Sequence, residues 1–157
     1  MALWKSIACA VDESDGSDRA IGAAARLAHE LDAELVLIHV DPPIEGEGGE
    51  AVFAPPPARR ILDLHRDRIE RWSAAASDMR GEPVRVQLAS GDAASEIVAF
   101  ARTSHCDLLV IGSRARSPLS LALGSVAAKV LVHAPCPVLV VSPRVEDVMT
   151  DFPGQAA

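Results

Sequence analysis

The stretch from Asp107 to Val141, DLLVIGSRARSPLSLALGSVAAKVLVHAPCPVLVV, constrains what this chain can fold into more than any other. Leu108, Leu109, Val110 and Ile111 form an apolar run closed by Gly112, the pattern of a strand buried on both faces of a parallel sheet. A glycine at such a strand end permits a tight turn. Gly124 and Ser125 then open a helical pattern through Val126, Ala127, Val130 and Leu131, and Cys136 to Val141 reads as a closing strand. The intervening loop carries Ser113, Arg114, Arg116 and Ser117. Helix N-termini attract anions, so backbone N–H groups, hydroxyls and guanidinium groups at this place predict a phosphate cradle. Ser117-Pro118 offers another helix start, serine as N-cap and proline as first helical residue, which would leave Gly124 inside the helix.

The rest of the chain repeats the strand and helix alternation. Ser6 to Val11 is a first buried strand ending on Asp12, and Ser14, Asp15, Ser17 and Asp18 offer N-caps for a helix with Ile21, Ala24, Ala25, Ala28 and Leu31 on one face. Glu34 to Val40 is a second strand, stopped by Asp41-Pro42-Pro43 because proline cannot continue a central strand. Residues 42–58, rich in proline and glycine, read as a mobile surface loop. Arg59 to Arg80 is helical, with Ile61, His65, Ile69, Trp72, Ala76 and Met79 along one face and Gly81 as its stop. Val84, Val86 and Leu88 alternate with polar or small neighbours, as in a strand near a sheet edge. A short helix follows, with Ala94, Ile97, Val98 and Ala101 inward, and the polar tail from about 144 is expected to fray. Five strands alternating with four helices predict an α/β three-layer sandwich around a parallel sheet. At 157 residues, the chain is read as a single domain spanning 1–157.

Composition narrows the function. Hydrophobic residues make up 49% of the chain and aromatic residues only 3%, so the core must be built from Ala, Val, Leu and Ile. A net charge of −7 argues against nucleic acid or an anionic membrane surface as partner. No run reaches the ~20 apolar residues of a membrane span, and no signal-peptide pattern opens the chain, which predicts a cytoplasmic location. Cys9, Cys106 and Cys136 are read as reduced, buried thiols. His39 and His133 lie near apolar runs and are read as core or surface residues, not ligands. The acids Asp12, Glu13, Asp15 and Asp18 read as a solvated, capping first turn in preference to a magnesium site. No G-x-S-x-G elbow, HExxH, CxxC or Walker loop occurs, so an enzyme is not expected. A receiver-type phosphoswitch would need a lysine after the fifth strand, where Ser142 and Pro143 stand.

Taken together, VDES at Val11 to Ser14, His39-Val40, SGDAASEI from Ser90 to Ile97, VIGSRA and LGSVAAKVLVHAPCPVLVV resemble the universal stress protein family along nearly the whole chain. The resemblance implies a Rossmann-like fold with strand order 3-2-1-4-5, and a non-catalytic stress-response protein that in nucleotide-binding members takes ATP. By that analogy Asp12 and Val40 would contact adenine, and Gly112, Ser113, Arg114, Gly124 and Ser125 would line ribose and phosphates, with Mg arriving only with the nucleotide. The family's nucleotide loop reads glycine, two residues, glycine, nine residues, then glycine with Ser or Thr. Here Ala115 replaces the second glycine and the following spacer is one residue shorter. An alanine at a glycine position costs about 1 kcal/mol or more where positive φ or close approach is required. The alternative is therefore a dimeric member that binds no ATP and acts through protein contacts, with the 42–58 loop, Arg114 and Arg116 facing a partner. The resemblance also implies a homodimer through the last strand, Val138 to Val141, whose apolar edge carries no protecting charge.

Overall fold

A computed structural model describes residues 3–42, 57–113 and 123–142, with the backbone alone over 57–65. The elements run β1 (Ser6–Ala10), α1 (Asp15–Leu31), β2 (Glu34–Asp41), α2 (Pro57–Arg80), β3 (Arg85–Ser90), α3 (Ala93–Thr103), β4 (Leu108–Gly112), α4 (Ser125–His133) and β5 (Val138–Val141). All strand pairs are parallel, and the sheet order is β3-β2-β1-β4-β5. The expected alternation and strand order are both found. The proline-rich loop and the tail lie outside the described residues, apart from Pro42, the first turn of α2 and Ser142.

Alternation along the central strands creates the three layers. Ile7 and Cys9 of β1, Leu35 and Leu37 of β2, and Leu108 and Val110 of β4 point to one face, where Ala20, Ala24, Ala28, Trp72 and Ala76 of α1 and α2 cover them. Ala8, Ala10, Ile38, Leu109 and Ile111 point to the other, beneath Ala94, Ile97 and Ala101 of α3 and Ala127 and Val130 of α4. Each fully buried Leu or Ile stabilises the fold by roughly 1.5–3 kcal/mol. Alanine takes the place of aromatics on the helix faces and brings α1 close to the sheet. Met79, read as part of the inward face of α2, is 47% exposed instead, its thioether lying against α1 at Gly22.

Turns are closed by local chemistry. Asp32 ends α1 in the left-handed region, with its N–H bonded to the carbonyls of Ala28 and His29, and Gly81 ends α2 at φ +85°. Asp92 caps α3 by accepting from the Ser95 N–H at 3.0 Å. Across the sheet, Asp107 accepts from the N–H groups of Lys5 and Ser6 at 2.9 and 3.0 Å, tying the start of β1 to the approach to β4.

Candidate functional site

Strand order reverses between β1 and β4, the place where open parallel sheets leave a crevice at their C-terminal ends. A cavity of about 160 Å³ opens there, walled by Ala10, Ile38, Val40, Ile97 and Ile111, with Asp12, Gly124 and Ser125 at its polar side. Two larger grooves, of about 410 and 350 Å³, lie between α3 and α4 and beside the N-terminal turn of α1. The first lies away from the switch point, and the second shares Asp12 and Ser14 with the crevice. The crevice is smaller than the roughly 300–1,000 Å³ of a complete small-molecule pocket, and most of its wall is apolar.

Asp12 is held firmly. Its Oδ1 accepts from the Ser14 N–H at 2.9 Å, the Ser14 hydroxyl, and the Ser17 hydroxyl at 2.9 Å, while its own N–H donates to Ser17 Oγ at 2.7 Å. Ser14, the N-cap of α1, makes no side-chain capping bond, so Asp12 does part of that work from two residues upstream. The neighbouring acids do not converge. Glu13 pairs with Arg68, and among the described residues no group of three or more His, Cys, Asp or Glu is arranged to hold a metal ion.

At the opposite lip, Gly124 is the N-cap of α4, so the helix does not begin at Ser117-Pro118 and Gly124 is not inside it. Among the described residues no side chain caps α4, and its first turn holds no acid, in contrast to α1 with Asp15 and Asp18. The positive end of α4 thus meets the crevice with no acid in its own first turn. Gly112 serves a different purpose from the one read in the sequence. A Cβ there would stand 2.5 Å from the carbonyl oxygen of Gly16, so the glycine admits the start of α1 against the end of β4. Positive φ is not the reason, since Gly81 and Gly91 are the glycines in that region among the described residues.

Asp12, Val40, Gly112, Gly124 and Ser125 all border the one crevice. Ser113 does not. It is buried beside the crevice, its N–H donates to the Val141 carbonyl at 2.9 Å, and its hydroxyl has no hydrogen-bond partner among the described residues. Arg114, with Ala115 and Arg116, lies outside the described residues. Sequence reading missed Ser17 and the apolar walls Ile38 and Ile97, which carry no local signal beyond their place in a strand or helix. His39 is a core residue. The Val11 carbonyl can only accept, so the Nδ1 at 2.9 Å carries the proton, and Nε2 lies 3.3 Å from Asp41. Trp72 packs on the His39 ring and Arg68 lies over Trp72. His133 is exposed and bonds the Lys129 carbonyl.

The model of the universal stress protein family matches residues 3–142. The chain belongs to the universal stress protein family. A universal stress protein of Thermus aquaticus is 35% identical over 141 residues, covering 88% of this chain and 99% of the relative. The universal stress protein YxiE of Bacillus subtilis is 32% identical over 157 residues, with 88% and 99% covered. Among solved structures, a universal stress protein in complex with cAMP is similar at a TM-score of 0.71 and 22% identity, covering 88% of this chain and 97% of that one. A universal stress protein of Archaeoglobus fulgidus in complex with dAMP gives 0.64 and 23%, covering 88% and 98%. These two likenesses establish the universal stress protein fold for the chain. No helix among the described residues is long and apolar enough to cross a membrane.

Proposed function

We propose that this universal stress protein is a non-catalytic, cytoplasmic stress-response protein that binds an adenine nucleotide, ATP foremost, in the crevice between β1 and β4. The glycine-capped N-terminus of α4, with no acid in its first turn, beside an apolar slot is the observation that carries this reading. A base in the slot would be walled by Val40, Ile38 and Ile97, and phosphates would meet the N–H groups at Gly124 and Ser125. Asp12, on the crevice wall, is assigned to the base side, Arg114 adds charge, and Mg enters only with the nucleotide. The relatives solved with cAMP and dAMP support an adenine ligand.

Isothermal calorimetry with ATP, AMP and cAMP, together with the 260/280 nm ratio of protein purified without ligand, tests the site. Binding heat is expected for ATP, weakened at least about tenfold in Gly124→Glu, where a carboxylate competes for the helix terminus. That variant keeps its helix, since an acid at an N-terminus stabilises it. No heat and no copurified nucleotide would leave the second reading, favoured by Ala115 and the shorter loop: a module that acts through protein contacts alone. Phosphate release from ATP is expected to match that of Asp12→Ala, and release clearly above it would make the protein an ATPase. The assembly proposed is a homodimer through β5, whose Leu139 is exposed, as are Leu131 and Val132 of α4.

A further inference from the structure

At the opposite end of the sheet from the crevice, two cysteines far apart in sequence meet. Cys106 precedes β4, Cys136 precedes β5, and their sulfurs stand 3.5 Å apart. Both belong to the apolar layer beneath α3 and α4. The pairing follows from the sheet: Leu109 lies opposite Val138, and parallel strands run about 4.8 Å apart, within the backbone separation that a disulfide bridges. Each thiol is fixed by its own neighbours. His105, in the left-handed region at φ +52°, turns the chain so that the Cys106 N–H returns to the Ala101 carbonyl at 3.2 Å. Cys136 sits between Pro135 and Pro137, whose rings restrict the backbone on either side, and the Pro137 carbonyl accepts from the Leu109 N–H at 3.0 Å.

We propose that Cys106 and Cys136 form a peroxide-responsive thiol pair, converted by a hydroperoxide into one intramolecular disulfide and restored by a low-molecular-weight thiol. Cys136 is the half-buried member and Cys106 the buried one, so Cys136 meets the oxidant. Its thiolate attacks a peroxide oxygen, the O–O bond breaks, and the leaving oxygen departs as water or an alcohol after taking a proton. The product is a sulfenic acid on Cys136. Cys106 then attacks that sulfur, the S–OH bond breaks, and the hydroxide leaves as water with the Cys106 proton. Two thiols are oxidised and one peroxide is reduced.

Burial, followed by the contact with Cys136, pushes the Cys106 thiol up to about 12, which disfavours it as the first thiol to meet the oxidant. Proximity offsets the low thiolate fraction, because the sulfurs need approach by only about 1.5 Å. Cys9, inside β1, is likewise pushed up to about 12 by burial and has no sulfur partner among the described residues. It serves as an internal control. The cross-link would close the segment that holds β4, the loop after it and α4, and would anchor the edge strand β5.

The full chain is treated with hydrogen peroxide, alkylated and digested with trypsin. The expected product links Thr103–Arg114 to Val130–Arg144, with the thiol titre falling from three to one, a mass loss of two hydrogens and monomeric mobility on a non-reducing gel. Dithiothreitol is expected to restore the titre. In Cys106→Ser, dimedone is expected to trap a sulfenic acid at Cys136, and in Cys136→Ser no adduct forms at Cys106 at the same dose. Three surviving thiols at a dose that oxidises free glutathione, a linkage that includes Cys9, or a cross-link between chains would each overturn the proposal. The wild-type peptide map needs no variant to fold, and it reads independently of whether the crevice binds a nucleotide.

Discussion

Gly112 and Gly22 look alike in sequence and differ in what surrounds them. A methyl at Gly112 collides with the Gly16 backbone, which cannot yield without moving α1 off the sheet. Gly112→Ala is expected to lower the unfolding free energy by about 1–3 kcal/mol in urea denaturation. At Gly22, in the middle of α1, the nearest atoms to a new methyl are the ends of the Arg26 and Met79 side chains at 3.7 Å. Gly22→Ala is expected to stabilise by about 0.5–1 kcal/mol in the same assay, because it restricts the unfolded chain and suits a helix. The sequence showed that a glycine was needed at the end of β4 but attributed it to a turn. The true cause is a contact between residues nearly a hundred positions apart, which no local pattern carries. Asp12 was legible as an acid at a strand end, whereas its grip by Ser14 and Ser17 became visible only once α1 was in place.

At the scale of elements the sequence was far more informative. Every strand was readable because burial on one or both faces leaves a run of β-branched and aliphatic residues, and every helix because its inward face repeats with helical spacing. Boundaries moved by a residue or two, as at Val11 and Asp41, where strand pairing decides what propensity cannot. The start of α4 was ambiguous between Ser117 and Gly124, since both offer acceptable cap chemistry. Asp92 gives α3 its clearest signal. The Ser95 hydroxyl and then its N–H hold the Asp92 carboxyl below the ordinary carboxylate range. The native state therefore binds that proton more weakly than the unfolded chain, and the stabilisation is present above the ordinary carboxylate value and fades as pH falls through the lowered native one. Asp92→Ala is expected to melt at a lower temperature than the parent at neutral pH, with the two curves converging in strong acid. Calorimetric melts across that range would show a constant gap if the carboxylate did nothing for the cap.

For the whole molecule, the sheet order follows from packing the most apolar strands at the centre, and it brings Asp12, Gly112 and Gly124 to one crevice from three separate segments. β5 lies at an edge with Leu139 37% exposed, and Val132 of α4 is 77% exposed. Sedimentation equilibrium is expected to give a dimer at micromolar concentration, and Leu139→Lys with Val132→Lys is expected to shift it to monomer. A monomeric parent would end that assignment. The thiol pair was not legible, because sequence spacing says nothing about which of the three cysteines meet. The two layers flanking the sheet are also unequal to light. The chain has two tryptophans and no tyrosine, and both Trp72 and Trp4 pack in the layer under α1 and α2. Intrinsic emission therefore reports on that layer and is nearly blind to the other, which holds both the crevice walls and the thiol pair. An indole placed at Phe100, half-buried against α3's own layer, would give the silent side a signal of its own.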